Sequence, residues 1–228
     1  EMAAQYRHRG GAGALGSPMI AYAEGRCVGG STEINSGLWH RLPSDLTEDW
    51  RRTYAIDEFG PEVLARFAEE VEADVGVSLL PGAAPRSSAL IAEAADALGW
   101  RSTEFPRAFS YDERGRATKQ TMARTLLPRA LAAGAELVPD CQVLRITGEA
   151  PRATGARCRV ARPDGTTEDL TVRAEHVFVC GGAIQTPNLL QRSGVRRRIG
   201  RGLKLHPTIK VAARFPEPID HGDVPMHR

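Results

Sequence analysis

Lysine, aromatic side chains and long apolar runs are all scarce in this sequence. Only three of its 30 basic residues are lysines: Lys119, Lys204 and Lys210. Phe, Trp and Tyr together make up 6% of the chain. No segment approaches the ~20 consecutive apolar residues that cross a bilayer, so no stable membrane span is expected. Neither sign of charge dominates, since 28 acidic residues leave a net charge of +2. Without a basic field to hold a phosphate backbone, no nucleic-acid partner is expected. The run Arg196-Arg197-Arg198 reads as a solvated loop. Cysteine is sparse as well. Cys27, Cys141, Cys158 and Cys180 lie far apart, with no metal-ligand spacing. They read as reduced structural thiols, which predicts a reducing compartment, a cytoplasmic location and no metal site.

Glycine is plentiful, and its placement is informative. The stretch Gly25-Arg26-Cys27-Val28-Gly29-Gly30-Ser31-Thr32-Glu33-Ile34-Asn35-Ser36-Gly37 clears side chains from a short loop, then offers a hydroxyl and an amide. Gly29 and Gly30 permit positive φ and close backbone approach to a bulky anionic ligand. A second such loop, Gly181-Gly182-Ala183-Ile184-Gln185-Thr186-Pro187, follows about 150 residues later. Taken singly, Gly25, Gly29, Gly30 and Ser31 describe an ordinary tight turn, and Gly182 and Ala183 a strand-to-helix turn that needs no ligand. Asn35 can equally be a helix C-terminal cap. Two loops in one chain point to a large phosphate-bearing cofactor touched from two sides. Gly29-Gly30-Ser31 is not a Gly-x-Ser-x-Gly elbow, so a Ser-His-Asp hydrolase is set aside.

Residues 25–41 resemble the first signature of the glucose-methanol-choline (GMC) family of flavin oxidoreductases. Residues 182–194 resemble its second. Between them, Arg124-Thr125-Leu126-Leu127-Pro128-Arg129-Ala130 followed by Val143 resembles the family's helix and strand leading to the adenine pocket. The resemblance implies FAD as cofactor. It sets Gly25, Gly29, Gly30 and Ser31 against the diphosphate and the nearby flavin. Asn35 and Ser36 would lie along the isoalloxazine, where amide and hydroxyl dipoles favour its reduced, anionic form, and Gly37 would belong to the same cofactor-binding stretch. The backbone of Val143 would pair with adenine, and Gly182 and Ala183 would form the second approach. Some members attach FAD through a His just before the Asn. Ile34 stands there, so non-covalent FAD is expected.

The implied activity is oxidation of a small-molecule alcohol by hydride transfer to flavin, with oxygen or another acceptor unspecified. The family's catalytic His would lie beyond residue 228, so no residue of this chain is assigned to catalysis. An opening strand with Gly-x-Gly-x-x-Gly and a ribose-binding acid is also missing. His8-Arg9-Gly10-Gly11-Ala12-Gly13 is glycine-rich, but no strand precedes it. The chain is therefore expected to be an internal fragment, inactive alone. The alternative is a truncated homologue with a binding or structural role. Leu205-His206-Pro207 replaces the family's Asp-His-Pro, as in branches acting on bulky, lipid-like alcohols. His206 itself reads as structural.

The predicted fold is α/β: part of an FAD-binding, Rossmann-like domain with a small antiparallel meander and a helical segment. Four segments are expected: 1–44 and 119–200 as parts of the FAD-binding domain, 45–118 as a helical cap, and 201–228 as the start of a substrate domain. Helices are predicted around 31–37, from Ser44 or Asp45 to Tyr54, over 61–75 with an apolar stripe Val63, Leu64, Phe67, Val71 and Val75, and over 87–98 with Leu90, Ile91, Ala94 and Leu98 on one face. Residues 105–115 read as a mobile loop. Pro128 should break 121–133 and open a short helix ending at Gly134. Strands are expected at 19–22, 136–139, 142–146 and 210–215. A hairpin is expected across Asp164-Gly165. Residues 176–180 read as a buried parallel strand, and Thr186-Pro187 as the start of a helix ending at Gly194.

Overall fold

The computed structural model describes residues 2–149, 151–206 and 212–219. The fold is mixed α/β and divides into two compact units, Glu1–Ala135 with Arg214–Arg228, and Glu136–Ala213.

The first unit opens with a short helix α1 (Met2–Gln5) and a 3-10 turn at Arg7–Gly10. An antiparallel pair follows, β1 (Ala12–Ala14) with β2 (Ile20–Tyr22), Ala12 facing Tyr22. Helix α2 spans Ser44–Tyr54 and α3 spans Pro61–Val75. Local chemistry fixes both ends of α3. Pro61 occupies the first turn, where its missing N–H would have no acceptor. Gly76 takes φ 77° and donates its N–H to Glu72 O at 2.9 Å. Helix α4 covers Arg86–Ala97. The inward faces differ from the apolar stripes. Val75 is buried in α3, whereas Phe67 and Val71 are exposed; α4 buries Ser88 and Ala92 and leaves Ile91 and Leu98 out.

Residues 105–115 are not a mobile loop. β4 (Arg107–Tyr111) is the centre of a three-stranded sheet, between β3 (Val77–Ser78) and β5 (Ala117–Lys119). Arg107, Ala108 and Phe109 are all buried. Burying the Phe109 ring contributes on the order of 2 kcal/mol. The strand was hidden because two of its partners come from far along the chain: Val77 faces Ala108, and Leu38 bridges to Arg107. Helix α5 (Leu126–Ala132) begins before Pro128, which sits third, still within the turn whose N–H groups have no intrahelical acceptor. Gly134 follows the helix at φ 91°.

The second unit is built on a meander, β6 (Cys141–Glu149), β7 (Arg152–Ala161) and β8 (Thr167–Arg173), antiparallel throughout. The central strand alternates as expected: Ala156, Cys158 and Val160 are buried, Arg157 and Arg159 exposed. Asp164 shapes the predicted turn by accepting the Thr166 N–H at 2.9 Å, and Gly165 takes φ 83°. Helix α6 spans Gly182–Arg192, so it starts before Pro187, which lies inside it. Gly182 at φ 79° turns the chain directly into the helix, and Thr186 is not its cap. Residues 136–139 form no strand. Nor do 176–180, where Phe178 is 88% exposed. An apolar run becomes a buried strand only when neighbours pair with it and cover it, and among the described residues none does. Of the expected strand at 210–215, residues 210–211 lie outside the described residues, and 212–215 have no regular structure.

Candidate functional site

The first glycine loop is held from below by short backbone pairings. Tyr6 bridges to Gly25, and the Arg26 N–H donates to Gln5 O at 2.7 Å. Gly29 and Gly30 then take φ 89° and 61°, conformations that a Cβ disfavours. A 3-10 turn, Gly30–Thr32, stands where a full helix over 31–37 was expected. Two left-handed residues and the loop's own side-chain bonds take the place of a regular ladder. The Gly25 N–H donates to Ser31 Oγ at 3.0 Å, and the Thr32 hydroxyl donates to Gly29 O at 2.6 Å. Thr32 Oγ1 also accepts the Met122 N–H at 3.1 Å, which ties the loop to the segment before α5. Gly25 has no room for a side chain: a Cβ there would lie 2.7 Å from the Gly30 carbonyl.

Further along, Asn35 is a turn former rather than a helix cap. Its Oδ1 accepts the Gly37 N–H at 3.1 Å, and Gly37 has φ 68°. That bond fixes the amide orientation, so the Asn35 NH₂ points away from the turn. Gly37 packs against β4, where a Cβ would come within 2.7 Å of the Phe109 ring. Lys119, at the end of β5, donates its ammonium to Glu33 O at 3.1 Å and to Asn35 O at 2.5 Å. Burial pushes the Lys119 ammonium below its ordinary pKa, against the opposing pull of Glu33. Sequence reasoning missed this residue. Its partners stand 84 and 86 positions away, and its only visible signal was its rarity.

The second glycine loop and the adenine-pocket candidate belong to the other unit. Gly181 caps α6, and Gly182 and Ala183 are exposed at its start. The first N–H groups of an 11-residue helix, with the positive end of its dipole, are therefore open to an anion. Val143 lies on β6, an edge strand of the meander, and the register shifts between Val143 and Arg145. An edge strand carries outward N–H and C=O groups that can pair with a planar ligand. The Ile146 N–H beside the shift is satisfied by Ser193 Oγ at 2.9 Å, and Ser193 donates to Leu189 O at 2.7 Å. Ser193 thus pins the end of α6 to β6, a role that required the bulge to be seen.

The residues present fit FAD. Gly30 and Gly182 both combine positive φ with an open side, where a Cβ would meet nothing within 4 Å. Either position leaves the backbone accessible to a ligand. The donors left over are neutral: the Asn35 NH₂, the Ser36 N–H and hydroxyl, and the Ser31 hydroxyl proton, none bonded to a partner among the described residues. Ser31, Asn35 and Ser36 are exposed on the loop, whereas Gly37 is buried. Amides and hydroxyls in this number suit diphosphate and heterocycle edges.

Past the loop, a cleft of about 500 Å³ is lined by Trp39, His40, Glu72, Glu104, Phe105 and Pro106, among others. The rings of His40 and Phe105 meet edge-to-face at 4.4 Å. Arg41 grips Glu72 bidentately at 2.8 and 2.5 Å, and the Trp39 indole N–H adds a third bond at 2.9 Å. The Arg41 guanidinium holds the Glu72 carboxyl below the usual carboxylate range. A depressed carboxylate stabilises the fold fully above its unfolded value of about 4.3, and that contribution is lost as pH falls through the lower folded value. Glu72→Gln is therefore expected to lower Tm at neutral pH, with the gap to wild type closing in acid. Thermal scans from pH 7 to pH ~3 check it; a gap that stays constant would refute it. Arg41 is half exposed, so solvent screening keeps the effect modest.

A family model described as GMC oxidoreductase matches residues 2–208, a region that in that family is the FAD-binding N-terminal domain. An uncharacterised GMC-type oxidoreductase of Sinorhizobium fredii is 42% identical over 227 residues, covering 96% of this chain and 45% of that protein. One from Mycobacterium tuberculosis is 36% identical, covering 94% and 35%. A long-chain-alcohol oxidase of Arabidopsis thaliana is 26% identical, covering 91% and 30%. The chain thus spans less than half the length of the curated relatives it matches. By the extent of the family match, and by the two glycine loops within it, this chain belongs to the GMC oxidoreductase family.

Proposed function

We propose that this chain is the FAD-binding part of an oxidoreductase that oxidises the CH–OH group of an alcohol. The observation that carries the reading is the Gly25–Gly37 loop: Gly30 leaves its backbone open on one side, and the loop's amide and hydroxyl donors remain uncommitted. Bound FAD would supply the two-electron acceptor for hydride from the alcohol carbon. Gly25 keeps the loop tight, Gly30 and Gly182 let a ligand approach the backbone, and Asn35 and Ser36 orient it. Val143 and Ala183 complete the proposed contacts at β6 and at the start of α6. Ile34, an apolar side chain with no nucleophile, leaves FAD non-covalent. The division into 1–44, 45–118, 119–200 and 201–228 goes with this reading, and so does inactivity of the 228-residue chain alone.

The substrate class that we favour is a long-chain or lipid-like alcohol. Relatives named long-chain-alcohol oxidases, at 26% and 24% identity, support it, as does Leu205 before His206. The test is the visible spectrum of the protein expressed at its natural length. Flavin bands that bleach anaerobically on adding a long-chain primary alcohol are the expected result. A folded protein that is colourless and takes up no added FAD would sink the reading. Bleaching by short alcohols alone would remove only the substrate class.

A further inference from the structure

Lys119 reaches from β5 to the Gly25–Gly37 loop. It ends β5, opposite Phe109 of β4, and so stands on the sheet that underlies Gly37. Its ammonium donates to two loop carbonyls, Glu33 O at 3.1 Å and Asn35 O at 2.5 Å. The second bond has a directional consequence. The Asn35–Ser36 peptide is planar and trans, so its N–H points opposite to its carbonyl. With the carbonyl held on Lys119, the Ser36 N–H must face away from the Lys119 ammonium. That N–H has no partner among the described residues, and Ser36 is exposed. A cation on the carbonyl also polarises the peptide, which makes its N–H a stronger donor. The Asn35 Oδ1 bond to the Gly37 N–H pins the next peptide, so the unit cannot rotate without losing bonds on both sides.

We propose that Lys119 is a positioning residue: it locks the Asn35–Ser36 peptide so that the Ser36 N–H is presented, polarised, to the bound flavin. This rests on the FAD reading above. A lysine that merely helped the loop fold would alter stability and nothing else. A positioning lysine must alter the cofactor as well. The electron-rich, reduced flavin gains more from a polarised donor than the oxidised form does, so removing the cation should make reduction harder.

The experiment uses the protein at its natural length, as wild type, Lys119→Met and Lys119→Arg. FAD affinity is read by flavin fluorescence, the reduction potential by equilibration with reference dyes, and apoprotein stability by thermal unfolding. Lys119→Met is expected to bind FAD at least tenfold more weakly, with a more negative potential. Lys119→Arg, which keeps donors for both carbonyls, should recover most of both. An unchanged potential in folded, FAD-loaded Lys119→Met overturns the proposal, even if its Tm falls. So does failure of Lys119→Arg to recover either quantity. If Lys119→Met does not fold, Lys119→Gln, which keeps one amide donor, is read the same way. A wild type that takes up no FAD overturns the FAD reading itself, and this is seen before any variant is made.

Discussion

Gly25→Ala is expected to abolish FAD uptake and to destabilise the first unit, whereas Gly30→Ala is expected to weaken FAD binding in a protein that still folds. The contrast follows from where each Cβ would go. At Gly25 the added carbon would sit 2.7 Å from the Gly30 carbonyl carbon and oxygen and 2.8 Å from Ser31 Cα, all backbone. None of these atoms can move aside without opening the turn that sets the Gly25–Ser31 bond. Overpacking of this kind costs about 1–3 kcal/mol. At Gly30 the same carbon would meet nothing, so only the left-handed φ of 61° is penalised, by roughly 1–2 kcal/mol. If that open side is where the cofactor lies, the methyl takes its place. Binding should then weaken at least tenfold, about 1.4 kcal/mol. Apoprotein Tm separates the two variants, and fluorescence titration with FAD measures the loss. A Gly30→Ala protein that binds FAD as wild type does would show that the cofactor does not use this loop.

The second large effect concerns the meander. Gly155→Ala is expected to cost about 3 kcal/mol or more, read as a lower urea midpoint. Gly155 lies in β7 at φ 148°, and a Cβ there would overlap Val172 O at 1.9 Å. Val172 pairs with Ala156, so moving that carbonyl breaks the β7–β8 ladder beside it. Gly148, at φ 136° with Arg152 O at 2.2 Å from its missing Cβ, is under the same constraint across β6–β7. Gly165 is the control. It sits in the turn at φ 83° with nothing near a Cβ, and asparagine tolerates that conformation, so Gly165→Asn should be close to neutral. Equal urea midpoints for Gly155→Ala and wild type would mean that the close approach of β7 and β8 at Gly155 is not what holds this unit.

Much of the candidate site was legible because its signals are local. Gly29 and Gly30 do take positive φ. Each depends on the residue's own steric freedom. Two of the failures were local as well, and arose from side-chain bonds and glycine freedom that compete with a regular helix. The helix expected over 31–37 gave way to a 3-10 turn because Ser31, Thr32 and Asn35 spend their side chains on loop bonds. The expected start of α6 at Pro187 was displaced because Gly182 could turn the chain earlier. Ser193 was noticed only as part of a motif, although its hydroxyl joins α6 to β6.

The sequence by itself determined the family resemblance, the two glycine loops, the ends of α3 and the Asp164-Gly165 hairpin, since glycine, proline and Asx chemistry act over a few residues. Tertiary structure alone decided that 105–115 contributes a central buried strand, that α4 turns Ser88 and Ala92 inward, and that 176–180 remains unpaired among the described residues. It also decided that a lysine 84 residues away holds the Asn35 carbonyl. A strand and a clamp are properties of pairs. Their free energy comes from backbone and charge partners that the chain brings together only on folding, and no window of neighbouring residues contains them.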